Sequence, residues 1–97
     1  MAQVTYADKA FTDFERIIEF LLETSPEAAA HALDGIRSAI VILEAHPLIG
    51  GRVDDQIREL VIARGATGYL ALYRFDSAFD VVRILRIRHQ REAGYRE

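Results

Sequence analysis

The sequence predicts an α+β domain in which a hairpin of two helices packs on one face of a small antiparallel sheet, in the order β-α-α-β-β-β. Three observations lead there. Apolar residues recur at helical spacing from about residue 9 to residue 45. After Gly50-Gly51 the pattern changes to alternation, in three runs separated by short turns. The chain has 97 residues and shows no linker, repeat or low-complexity segment, so residues 1–97 form a single domain.

Each element has a local reason. Gln3–Ala7 alternates and reads as a first strand, and Asp8 stands where a helix N-cap belongs. From Lys9 to Glu23 the residues Phe11, Phe14, Ile17, Ile18, Leu21 and Leu22 make an apolar stripe. Thr24-Ser25-Pro26 ends this helix and starts the next, with Ser25 as cap and Pro26 at the first helical position. The second helix runs from Pro26 to about Ala45, with Leu33, Ile36, Ile40 and Leu43 as its stripe. Its alanines at 28, 29, 32 and 39 allow close packing on the first helix, and the short connection makes the pair antiparallel. His46-Pro47 stops it. Leu48–Asp55 is a glycine-punctuated connection, followed by strands at Ile57–Arg64, Tyr69–Phe75 and Phe79–His89.

Composition excludes several classes. No apolar run is long enough to cross a membrane, and no basic region followed by an apolar stretch marks a signal peptide. Cysteine is absent, so there is neither a disulfide nor a thiolate metal site, in keeping with a reducing cytoplasm. His31 and His46 have no spacing partner and read as surface or capping residues; no metal and no cofactor is expected. The glycines at 50–51 and 65–68 do not sit between a strand and a helix as a phosphate loop requires. The net charge of −3 hides an asymmetry. Residues 1–50 carry three cations against eight acids, and residues 51–97 carry nine arginines against seven acids. A whole-chain negative charge argues against nonspecific DNA coating but permits a local basic face.

The densest signal lies in residues 79–97, where an apolar β-branched strand is studded with Arg83, Arg86 and Arg88 and runs on to His89, Arg91 and Tyr95. So many guanidinium groups point to an anion, either a phosphate or a carboxylate-rich partner. If the helices cover the Leu85/Ile87 and Ala71/Tyr73 faces, then Arg74, Arg86 and Arg88 share the opposite face, with Arg58 or Arg64 joining them. Simpler roles stand beside these. Tyr69 and Tyr73 read as core aromatics, Arg83 as the ion-pair partner of Asp80 or of a helix acid, and Glu15, Glu19 and Glu23 as a solvated face.

Five segments, taken in order, resemble the RelE/ParE superfamily of toxins from bacterial type II toxin–antitoxin modules. They are Ala10-Phe11-Thr12-Asp13-Phe14-Glu15-Arg16-Ile17, His46-Pro47-Leu48-Ile49-Gly50-Gly51-Arg52, Ile57-Arg58-Glu59-Leu60, Tyr69-Leu70-Ala71-Leu72-Tyr73-Arg74 and the run from Ile84 to Glu92. The resemblance spans essentially the whole chain and is strongest to the ParE-like branch, often labelled plasmid stabilisation proteins. It implies a cytoplasmic toxin held silent, in a hetero-oligomer, by a cognate antitoxin whose C-terminal segment wraps it. ParE-like members inhibit DNA gyrase; RelE-like members cut mRNA on the ribosome.

Metal-free RNA cleavage needs a base, an acid and cations for the transition state. The candidates for those roles are Arg58, His89, Arg91 and Tyr95. The arginine that family nucleases place directly after the tyrosine of the middle strand is Leu70 here, and their first-strand lysines are missing. The resemblance therefore implies a gyrase inhibitor first, with Arg58, Arg74, Arg86, Arg88 and Arg91 as partner-binding residues. A ribosome-dependent mRNA endonuclease is the alternative, and a non-toxic partner-binding relic a further one.

Overall fold

A first strand, β1 (Gln3–Tyr6), leads into the helical hairpin α1 (Asp8–Thr24) and α2 (Pro26–Ala45). Then follow β2 (Gly51–Arg52), β3 (Ile57–Ile62), β4 (Tyr69–Asp76) and β5 (Val81–His89). The computed structural model describes residues 1–62, 68–90 and 95. Arg64 and Arg91, both candidates from the sequence, lie outside the described residues.

The helices form for the expected reasons, with one correction. Asp8 is the first helical residue and not the cap; Ala7 holds the cap position with no side-chain bond. Asp8 still favours the helix, because its charge sits in the first turn against the positive end of the dipole. The second cap is as read: Ser25 Oγ accepts from Ala28 N–H at 3.3 Å, with Pro26 opening the helix. The buried faces are Ala10, Asp13 and Ile17 on α1 and Ala29, Ala32, Ile36, Ala39 and Leu43 on α2. Small residues on both helices let them approach closely, and Glu15, Glu19 and Glu23 point to solvent.

The sheet has five strands in the order β1-β5-β4-β3-β2. It is mostly antiparallel, but β1 pairs with β5 in parallel, Gln3 opposite Val81 through Tyr6 opposite Ile84. A wholly antiparallel sheet was the expectation; the parallel edge arises because the helical hairpin and three strands intervene between the partners. Gly51–Arg52, assigned to a connection by sequence, is a two-residue strand against Arg58 and Glu59. β5 begins at Val81 instead of Phe79, because a turn occupies Ser77–Asp80 and Asp80 takes a left-handed conformation (φ 53°).

A β-bulge decides the faces. Leu72 pairs with Arg86 and Tyr73 with Ile84, which leaves Leu85 without an opposite residue. Before the bulge, Val82 and Ile84 point to the helices; after it, Ile87 does, all three at most 2% exposed. Ile87 thus lies on the covered face as expected, but Leu85 does not share it in register, and Val82 and Ile84 take the covered positions before the bulge. Together with Tyr73, Ala71 and Leu43 these residues form the core between sheet and hairpin. Each fully buried aliphatic side chain contributes about 1.5–3 kcal/mol of transfer free energy.

Candidate functional site

The sheet face turned away from the helices carries the charged residues. The register sets Glu59, Leu72 and Arg86 side by side across β3, β4 and β5, with Leu70 beside Arg88 and Arg74 beside Arg83. Tyr95 comes onto this face. Its hydroxyl donates to Glu59 Oε2 at 2.7 Å. Its ring lies 5.6 Å from the Arg86 guanidinium and 5.2 Å from that of Arg88, within cation–π range. Burial pushes the Tyr95 phenol well above its ordinary pKa, and the Glu59 carboxylate that accepts its hydrogen bond pushes it further. At neutral pH this hydroxyl is a hydrogen-bond donor and not a base.

Arg86 starts on this face but turns round the sheet edge. β1 pairs only with Val81–Ile84, so the outer edge of β5 is uncovered beyond Ile84 and α1 closes it. Asp13, 3% exposed on α1, does so with its carboxylate. It accepts from Ile87 N–H at 2.9 Å, from Arg86 Nε at 2.8 Å and from Arg86 Nη2 at 3.1 Å. Arg16 approaches the same carboxylate at 3.8 Å. A fork of this kind is geometrically specific and ties the helical hairpin to the open face. Arg88 Nη1 lies 3.3 Å from the carbonyl of His89 and steadies the end of its own strand.

Arg58 and His89 lie on the other face. Arg58 is the register partner of the buried Tyr73, and its Nη1 donates to the carbonyls of Leu48 (3.1 Å) and Gly50 (2.8 Å). It fastens the connection that follows α2. Gly50 N–H in turn donates to Tyr73 Oη at 2.8 Å. Burial raises the Tyr73 phenol pKa, and that amide and Arg58 partly offset the rise. His89 is the register partner of Tyr69, its ring edge-on at 5.3 Å from that buried ring. The structure thus brings Arg74, Arg86, Arg88 and Tyr95 to one face and sets Arg58 and His89 on the other. The sequence has Arg58 or Arg64 joining the open-face arginines; Arg64 lies outside the described residues, and the pleat places Arg58 on the opposite face, because Glu59 takes the outward position. Among the described residues no cluster of His, Cys, Asp or Glu is fit to hold a metal ion. No helix among them is long and apolar enough to cross a membrane.

The family described as ParE toxin of type II toxin–antitoxin system, parDE, matches residues 4–94, from the first strand past the last. The chain belongs to the ParE toxin family. Toxin RelE3 of Caulobacter vibrioides is 37% identical over 92 residues, covering 95% of this chain and 98% of the relative. Two solved structures share the fold. The chromosomal ParDE toxin–antitoxin system of P. aeruginosa superimposes with a TM-score of 0.71 at 22% identity, covering 92% of this chain and 96% of that one. The intact E. coli RelBE toxin–antitoxin complex does so with a TM-score of 0.66 at 10% identity, covering 95% and 100%. The chain is therefore a type II toxin of the RelE/ParE superfamily.

The roles of three residues of this toxin's open face and its anchorage are not those the sequence suggests: Asp13, Glu59 and Arg83. Asp13 had a legible signal, since an acid three residues from Ala10 and four from Ile17 interrupts the apolar stripe of α1. Glu59 sits between Arg58 and Leu60 and looks like a surface acid until Tyr95 arrives. Arg83 was expected to pair with Asp80 or a helix acid. Among the described residues it has no such partner, and its opposite number is Arg74.

Proposed function

We propose that the toxin acts by binding a protein target, DNA gyrase, and that a cognate antitoxin holds it silent in a hetero-oligomer. One observation carries the choice of a protein target over RNA: the sheet lies between His89 and Tyr95, the two acid/base candidates. His89 packs against Tyr69 on the helix side, and Tyr95 bonds to Glu59 on the open side. General acid–base cleavage needs both groups within reach of one phosphodiester. Glu59 adds to the argument, because a carboxylate beside Arg86 and Arg88 repels a phosphate that those arginines would otherwise attract. Arg86 is already committed to Asp13. The antitoxin partner is supported by the toxin–antitoxin complexes that share the fold. On this reading the protein works in the cytoplasm without a cofactor.

A second reading, a ribosome-dependent mRNA endonuclease, draws on the convergence of Arg86, Arg88 and Tyr95 on one face. Purified toxin added to a gyrase supercoiling assay and to translating ribosomes separates the two. Loss of supercoiling with intact message is the expected result, and His89→Ala and Tyr95→Phe should both leave toxicity in place. Cleaved message with gyrase unaffected would overturn the proposal.

A further inference from the structure

Arg74 and Arg83 are direct register partners on the open face, and both side chains are exposed. Among the described residues neither makes a hydrogen bond or an ion pair. Like charges placed directly opposite one another weaken an antiparallel ladder. Neither nearby turn acid forms an ion pair with them: Asp76 Oδ1 accepts from the amides of Ala78 and Phe79, and Asp80 lies in the turn itself. The fold thus carries a like-charge pair with no ion-pair partner among the described residues. Two guanidinium groups roughly 5 Å apart at their Cβ atoms can close on a single oxyanion from both sides.

The surroundings decide which oxyanion. Beside Arg74 opens a groove of about 550 Å³ at the end of the sheet. Its charged lining is evenly split, with Arg52, Arg58 and Arg74 against Asp54, Asp55 and Asp76. A nucleic-acid backbone repeats one negative charge and has nothing to offer those acids. A peptide segment with a carboxylate and a neighbouring basic side chain satisfies both signs.

We propose that Arg74 and Arg83 together anchor a carboxylate of the cognate antitoxin, while a basic side chain of the same segment meets the acids of the adjoining groove. The inference rests on the toxin–antitoxin reading above and adds to it a specific seat, which includes Arg83, for which the sequence suggests only an internal ion pair.

The test uses the full chain and the product of any antitoxin-sized reading frame adjoining its gene, with affinity measured by calorimetry at two salt concentrations. The double variant Arg74→Gln/Arg83→Gln should bind roughly 30-fold more weakly, with a shallower salt dependence. The free double variant should melt no lower than the parent, because the like-charge pair is gone. That separates a docking role from a folding defect. Arg37→Glu on the exposed side of α2 serves as control and should bind as the parent does. Antitoxin variants in which single acids become Arg should locate the partner carboxylate, whose reversal restores affinity toward an Arg83→Glu toxin. If the parent binds and the double variant binds within threefold of it, this inference fails alone. If the parent does not bind that antitoxin, the toxin–antitoxin reading falls and takes the inference with it. Binding of a single-stranded uridylate oligomer that the same double variant abolishes would assign the pair to phosphate and overturn the proposal.

Discussion

Gly50→Ala should be among the most damaging small substitutions in this toxin. A Cβ at position 50 would lie 2.7 Å from both Cε1 and Oη of Tyr73 and 2.9 Å from the carbonyl oxygen of Glu59. Neither neighbour yields easily. Tyr73 is 0% exposed, at the centre of the core, and the Glu59 carbonyl belongs to a strand. Overpacking of this kind costs about 1–3 kcal/mol. Any shift that relieves it also stretches the 2.8 Å bond from Gly50 N–H to Tyr73 Oη, and leaving those buried groups unpaired costs about 1–3 kcal/mol more. A total of roughly 2–6 kcal/mol is a large share of the roughly 5–15 kcal/mol that stabilises a typical domain. At roughly 4–8 °C per kcal/mol for a domain of this size, the melting temperature should fall by roughly 8–48 °C. Gly51→Ala is the control: a Cβ there meets nothing within 4 Å, so melting should be unchanged or slightly raised. Tyr73→Phe removes the hydroxyl and should cost about 1–2 kcal/mol. The double variant should then be less damaged than the sum of the singles, because one of the three close contacts is gone. Thermal melts followed by circular dichroism check all four proteins. A Gly50→Ala variant that melts within about 3 °C of the parent would refute the reasoning.

Three further outcomes follow from the same structure. Asp13→Ala should cost roughly 2–4 kcal/mol in urea unfolding, because the Arg86 guanidinium and the Ile87 amide both lose the carboxylate that accepts from them, and a second change of Arg86→Met should recover part of that loss. Ser25→Ala removes the cap of α2 and should lower stability by about 1 kcal/mol in the same assay. Tyr95 resists ionisation in the folded state, so its contribution is complete below the ordinary tyrosine pKa and is lost as pH climbs above about 10, where the unfolded chain ionises first. Urea unfolding from pH 8 to pH 11 should therefore show a fall in stability that Tyr95→Phe makes shallower; an unchanged slope would count against the Glu59 bond.

The helices and strands were legible because each announces itself within a few residues. Ser25-Pro26 specifies a helix start through a local bond and a fixed φ, and α2 runs over the expected residues. The tyrosines at 69 and 73 were read as core from alternation alone, and both are buried. The faces of β5 were legible only beyond its bulge, where Ile87 is covered and Arg86 and Arg88 stand opposite. A bulge at Leu85 inserts one residue into a period of two, and alternation counted across it inverts every side chain on one side. β2 escaped because two residues carry no periodicity.

The arginine-rich final strand, the helical hairpin and the family resemblance are properties of the sequence by itself, because they depend on residue types and short-range spacing. The roles of those arginines were decided only by tertiary structure. Arg86 turns to a helix acid 73 positions away, Arg58 fastens a loop on the covered face, and Arg88 lies beside Tyr95. Arg74 and Arg83 are left facing one another on the open face. The physical reason is the same in each case: a guanidinium's role is set by the charge and solvent around it, and those neighbours arrive from distant parts of the chain.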